Sequence, residues 1–176
     1  MKTLIVVIHP DFNNSVINKK WVESLQKYPD KFYIHLLHQV YPNENIDIKS
    51  EQKLVEQYEK IVFQFPFYWF NCPPLFKKWL DNVLTYNWAY GSKSGYQLEG
   101  KKIALAISVG IEENEFGPTE RYKYSLEELL RPFELTFEYI KADYKPFFAY
   151  YGIELNSSKE WVEKSIVPYL EFLNKL

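Results

Sequence analysis

The chain reads as one α/β domain spanning residues 1–176, a three-layer sandwich in which a five-stranded parallel sheet is covered by helices on both faces. Three observations predict it. Short apolar runs rich in β-branched residues recur, as expected of strands buried on both faces. Each is followed by a segment whose apolar residues repeat at helical spacing. The connections are short, and strand and helix in alternation imply a parallel sheet with crossover helices.

The first strand is Thr3–Ile8, and the helix after it covers Ser15–Tyr28, with Ile17, Trp21 and Leu25 inward and Ser15 as N-cap. Phe32–Leu37 is the second strand. Ile48–Glu59 is a helix with Leu54, Val55 and Tyr58 inward, and Lys60–Phe65 is the third strand. Pro74–Tyr86 forms the next helix, with proline in a first turn that needs no N–H there and a stripe of Leu75, Trp79, Leu80, Val83 and Leu84. Lys101–Ser108 is the fourth strand. Tyr122–Ile140 is helical, kinked or divided at Pro132, and Lys145–Tyr151 is the fifth strand. Ser158–Leu176 closes the chain as a helix capped by Ser157 or Ser158 and bent at Pro168. Asn43–Asp47 and Ile111–Arg121 are the long loops. At this length the natural strand order is 2-1-3-4-5, the flavodoxin-like arrangement, with ligands outside the carboxyl ends of the strands. His9–Asn18, Pro66–Asn71 and Ser108–Gly117 then converge on one crevice.

Composition removes several classes of function. The formal net charge of −2 gives no basic footprint for nucleic acid. No apolar run approaches the roughly 20 residues of a membrane-spanning helix, and the first residues lead straight into a strand, so a cytoplasmic protein is expected. Cys72 is the only cysteine, which excludes an internal disulfide, and the three histidines show no metal-ligand spacing, so no metal site is expected. The first glycine is Gly91, which rules out both a G-x-G-x-x-G turn after the first strand and a Walker-type loop.

A phosphate must therefore be held otherwise. The segment HPDFNNSVINKK offers a helix N-terminus with its amides, the Ser15 hydroxyl, Asn18 and a chargeable His9. An ordinary capped helix would read the same way. The run from Gln64 to Gly91 joins a strand end to Phe67, Tyr68, Trp69 and Phe70, two prolines and an amphipathic helix, a composition suited to a flat slot for a planar aromatic cofactor. Aromatic core or an interface would account for about half of those rings. Gly110 lets the backbone beside Ser108 and Val109 approach a ligand, and Cys72 reads as a small filler rather than a nucleophile. The acidic stretch Glu112, Glu113 and Glu115 reads as a solvated loop.

Together these segments resemble the NAD(P)H:quinone oxidoreductase family, and within it the small bacterial general-stress flavoproteins and the ancillary reductases of glutathione-gated potassium-efflux systems. The resemblance is carried by HPDFNNSVINK at 9–19, LLHQVYPNENIDI at 36–48, QFPFYWFNCPPLFKKWLDNV at 64–83, WAYG at 88–91, SVGIEENEF at 108–116 and ELLRPFE at 128–134. It implies a homodimer with FMN or FAD at two sites near the subunit interface. His9, Ser15, Val16, Ile17 and Asn18 would surround the flavin phosphate. Phe67, Tyr68, Trp69 and Phe70 would follow the ring, and Ser108, Val109, Gly110 and Ile111 would border its pyrimidine edge. Trp79, Trp88 and Tyr90 would lie near the partner subunit, an intramolecular role being equally open. The family loop is commonly T-T-G-G; here Ser108-Val109-Gly110-Ile111 keeps the backbone donors but loses a hydroxyl and a glycine. Some members use a tyrosine and a histidine beyond this loop. No histidine follows His38, which leaves Tyr122 or Tyr124 as the catalytic candidates.

The activity this implies is a ping-pong transfer of two electrons from NAD(P)H, through flavin, to a quinone-like acceptor. The alternative is a flavin-binding regulatory subunit docked on a membrane ion-efflux transporter. A one-electron carrier fits less well, since the chain lacks a Thr- and Gly-rich phosphate loop and a strongly acidic balance.

Overall fold

A computed structural model describes residues 2–93 and 95–176. Its sheet has the order β2-β1-β3-β4-β5, with a sixth short strand also beside β4 and all pairings parallel. The strands are β1 (Thr3–Val7), β2 (Phe32–Leu36), β3 (Lys60–Pro66), β4 (Lys102–Ser108), β5 (Asp143–Tyr144) and β6 (Phe148–Tyr150). The helices are α1 (Ile17–Leu25), α2 (Leu37–Val40), α3 (Ile48–Glu56), α4 (Pro74–Val83), α5 (Leu126–Tyr139), α6 (Lys159–Lys164) and α7 (Ile166–Lys175). None among the described residues is long and apolar enough to cross a membrane.

Alternation along the central strands builds two cores. Leu4, Val6, Phe63, Phe65 and Leu105 face α3, α4 and α5. Ile5, Val7, Val62, Ala104 and Ala106 face α1 and α7. The alanines on the second face leave depth for Trp21, which stacks on Tyr169 at 4.5 Å between ring centres. On the first face Phe76 stacks on Phe133 at 5.6 Å and Phe63 on Phe137 at 5.7 Å, so aromatic pairs join β3, α4 and α5.

Several boundaries differ from the sequence reading, each for a local reason. Residues 122–125 stay outside α5 because Ser125 accepts from the Glu128 amide while the Glu128 side chain accepts from the Ser125 amide, a capping box that starts the helix at Leu126. Pro132 does not divide α5; it lies exposed on the outer face, while Leu126, Leu130, Phe133 and Phe137 seat both halves on the sheet. The fifth strand is two pieces separated at 145–147, around Pro146. The last helix breaks at Ser165 rather than bending at Pro168. The Ser165 hydroxyl donates to the Val162 carbonyl at 2.6 Å and accepts from the Trp21 indole at 2.8 Å, whereas Pro168 falls in the first turn of α7.

The largest departure is on α3, whose buried residues are Glu51, Gln52 and Val55, with Leu54 and Tyr58 only partly covered. Glu51, 1 % exposed, accepts three hydrogen bonds: from His35 Nε2 at 2.9 Å, the Tyr41 hydroxyl at 2.9 Å and Trp79 Nε1 at 2.7 Å. Trp79 is thus an interior ring, 1 % exposed and tied to α3. Gln52 donates to the Val83 carbonyl and to Thr85, each at 2.9 Å, fixing the end of α4. Burial opposes the charge on Glu51, but the three donors outweigh it and hold the carboxyl below its ordinary value.

A depressed carboxyl contributes stability above the unfolded-state value of 4.5, and that stability is lost as pH falls through the lower folded-state value. Glu51→Ala, which strands three buried donors, is expected to lower the unfolding free energy at neutral pH by about 3 kcal/mol in urea titrations. Its stability should also fall less steeply below pH 4.5 than that of the parent. An unchanged urea midpoint at neutral pH would refute this account.

Candidate functional site

The loops leaving β1, β3, β4 and β6 meet at the carboxyl edge of the sheet, around one crevice with two lobes. The ring-side lobe, about 440 Å³, is lined by Phe67, Tyr68, Trp69, Phe70, Val109, Gly110, Ile111, Tyr122 and Glu154. The other, about 340 Å³, runs from His9, Asp11 and Asn14 past Ser15, Val16 and Asn18 to Ser108 and Ile153. Phe67, Tyr68, Gly110 and Glu154 belong to both, so the lobes are continuous. Volumes of this order suit a small-molecule ligand.

In the smaller lobe the Ser15 hydroxyl accepts from the Asn18 amide at 3.1 Å and so caps the first turn of α1. The amides of Val16 and Ile17 take no partner among the described residues and remain available, with the helix dipole, for an anion. Ile17 contributes only its amide, because its side chain is wholly buried in the core. Asn18 likewise works from below, donating to Ser108 Oγ at 2.9 Å and accepting from Gln64 Nε2 at 3.1 Å. His9 borders the same lobe. Its Nδ1 accepts from the Asp11 amide at 3.2 Å, and burial, with His38 adding to it against the opposing pull of Asp11, lowers its pKa. With Nδ1 accepting, the proton of the neutral ring lies on Nε2, which is a donor toward the lobe. Among the described residues no lysine or arginine lines either lobe.

The ring-side lobe owes its shape to a tight hairpin after β3. Tyr68 and Asn71 exchange backbone hydrogen bonds at 3.0 and 2.9 Å across Trp69 and Phe70, both left-handed at φ 49° and 59°. Such two-residue turns favour Asn-Gly, so Trp-Phe here carries strain of about 1–3 kcal/mol per residue. The turn leaves the Trp69 ring 92 % exposed at its tip and sets Phe70 against Tyr122, at 5.2 Å between ring centres, and edge-on to Phe67 at 6.3 Å. Opposite, the amides of Gly110 and Ile111 are unpartnered among the described residues, while that of Val109 is spent on the Tyr150 carbonyl at 2.9 Å. Slot and donors thus stand side by side.

Every flavin-contact candidate of the sequence reading borders this crevice except Ile17, which lies beneath it. Of the two tyrosine candidates, Tyr122 lines the slot, whereas Tyr124 is 57 % exposed and outside it. Cys72 is half-buried behind the hairpin, and burial pushes its thiol up to about 11, which fits a filler and not a nucleophile. Glu115 pairs with Arg121 at 3.0 Å and Glu112 accepts from Asn156 at 2.8 Å, so the acidic loop is tied down structurally. Ile153 and Glu154 were missed. The signal was positional: a strand beside β4 ends at the same edge, so the loop following it must overhang the crevice.

Comparison with known proteins agrees with this architecture. The family model for the flavodoxin-like fold, Flavodoxin_2, matches residues 1–173. The uncharacterized NAD(P)H oxidoreductase YrkL of Bacillus subtilis is 44 % identical over 173 residues, 98 % of both chains. The crystal structure of general stress protein 14 of Treponema denticola in complex with FMN superposes with a TM-score of 0.93 at 46 % identity, covering 99 % of each chain. That of an NADPH-quinone reductase of P. pentosaceus gives 0.86 at 29 % identity over 98 % of each. With a fold, a strand order and a near full-length match in accord, the chain belongs to the Flavodoxin_2 family of flavodoxin-like proteins.

Proposed function

We propose that the chain binds FMN in this crevice as an NAD(P)H oxidoreductase and passes two electrons to quinone-like acceptors. The observation that carries the reading is the continuity of an aromatic slot with a helix-N-terminal anion pocket, the two sharing Phe67, Tyr68, Gly110 and Glu154. The residues present fit that group. Ser15, the Val16 and Ile17 amides and His9 Nε2 would hold the phosphate, and Phe67 to Phe70 with the Gly110 and Ile111 amides would hold the ring. The FMN-bound Treponema relative and the NAD(P)H oxidoreductase named among the relatives support the same assignment.

FMN, when bound, supplies a ring that accepts a hydride and returns two electrons. The chain's own part is placement. The Gly110 and Ile111 amides offer donors where negative charge would develop, without reorganisation during the reaction. Phe70 and Tyr122 wall the space above the slot, and the nicotinamide and the acceptor would use that space in turn, a ping-pong order. The Tyr122 hydroxyl is the proton-bearing group we assign to stabilise charge there. The working form would be a cytoplasmic homodimer. Tyr86, Leu135 and Tyr139 are 58, 64 and 68 % exposed on or beside α4 and α5, more apolar surface than a solvated helix pair needs.

The protein reconstituted with FMN should lose its visible flavin absorbance on anaerobic addition of NADPH or NADH and regain it with menadione. Bound flavin that neither nucleotide reduces would overturn the oxidoreductase reading and favour an ancillary flavin-binding subunit of an ion-efflux system. Ser15→Ala should weaken FMN binding about tenfold, the loss of one charge-assisted hydrogen bond, and leave riboflavin binding nearly unchanged in fluorescence titrations. Light scattering should return twice the 21.2 kDa chain mass.

A further inference from the structure

Glu154 is the carboxylate that neither the anion pocket nor the aromatic slot explains. It sits on the loop after β6, held by its amide to the Gly110 carbonyl at 3.1 Å, and is one of four residues common to both lobes. Its side chain lies over Gly110 so closely that a Cβ there would come within 2.5 Å of Oε1. The absence of a side chain at Gly110 is what lets this carboxylate settle at the junction. Among the described residues no hydrogen bond or ion pair engages its oxygens, although Asp11, the other carboxylate at the crevice, is occupied by Asn14 at 3.0 and 3.1 Å.

An unpaired carboxylate accepts hydrogen bonds and repels negative charge. It would disfavour a phosphate, which belongs at the Ser15 end, and it would disfavour the carbonyl edge of a flavin ring, which belongs beside the Gly110 and Ile111 amides. Between ring and phosphate, FMN carries a chain of hydroxyl groups, and these are donors. We propose that Glu154 accepts hydrogen bonds from those hydroxyls and selects for a ligand with a sugar-alcohol linker between its planar and anionic ends. This inference rests on the flavin reading of the crevice and adds a residue to it.

Fluorescence titrations with FMN, riboflavin and lumiflavin test it, lumiflavin having the ring but no hydroxyl chain. Glu154→Ala is expected to weaken FMN and riboflavin alike, by about tenfold, and to leave lumiflavin unchanged. Glu154→Gln, which keeps an acceptor oxygen, should stay within about threefold of the parent for all three. The proposal is overturned if Glu154→Ala binds FMN as tightly as the parent or more tightly, or if lumiflavin is weakened to the same extent. A parent protein that binds none of the three would instead bring down the flavin reading itself.

Discussion

The arrangement turns on one buried amide, that of Gln64, in the middle of the central strand β3. A wholly covered side chain with both donors and acceptors is costly unless each is met, about 1–3 kcal/mol for every one left over. Here each partner comes from a different element. Tyr169 on α7 donates to Oε1 at 2.8 Å, and Nε2 donates to the Asn18 carbonyl and to Asn18 Oδ1 on α1, both at 3.1 Å. Asn18 then donates to Ser108 at the end of β4. Satisfying one side chain therefore registers α1, α7, β3 and β4 against each other, and the crevice is the space their ends enclose. All donors in this series point the same way, from the phenol toward Ser108, so the Ser108 hydroxyl proton is left for the crevice.

Over this rigid floor the chain places its strained parts. The Trp69 and Phe70 turn costs conformational energy, and it is held by backbone bonds on both sides, by the Asn71 side chain accepting from the Cys72 amide at 2.9 Å, and by ring contacts to Tyr122. The strained turn holds Phe70 against Tyr122 at the rim of the crevice and carries the Trp69 ring out at its tip.

Much of this was legible from residues alone. The apolar runs at 3–8, 32–37, 60–65 and 101–108 have no competing interpretation, and their order with intervening helices leaves few topologies. The crevice followed from topology, since loops after neighbouring strands must share an edge. What sequence did not reveal is governed by side chains meeting across distance. The helix at 48–59 reads with Leu54, Val55 and Tyr58 inward, and the burial of Glu51 and Gln52 becomes visible only when His35, Tyr41, Trp79 and Val83 are brought to them. The burial that lowers the pKa of His9 is likewise invisible in its own segment, where Tyr68, at 6.5 Å between ring centres, is fifty-nine residues away. Glu154 carried no local signal; its approach to Gly110 and its place in both lobes single it out.

The broken outer strand has a consequence for how copies of the molecule can meet. The Lys145 amide points inward, to the Ile103 carbonyl at 2.8 Å, so the next nitrogen faces outward, and it is that of Pro146, which carries no hydrogen. The sheet's β5–β6 rim thus has a missing rung at its midpoint and offers no continuous template for another chain to extend. For crowded molecules that gap makes sheet-to-sheet polymerisation along the rim less favourable, since a strand added there would lose a hydrogen bond at its centre.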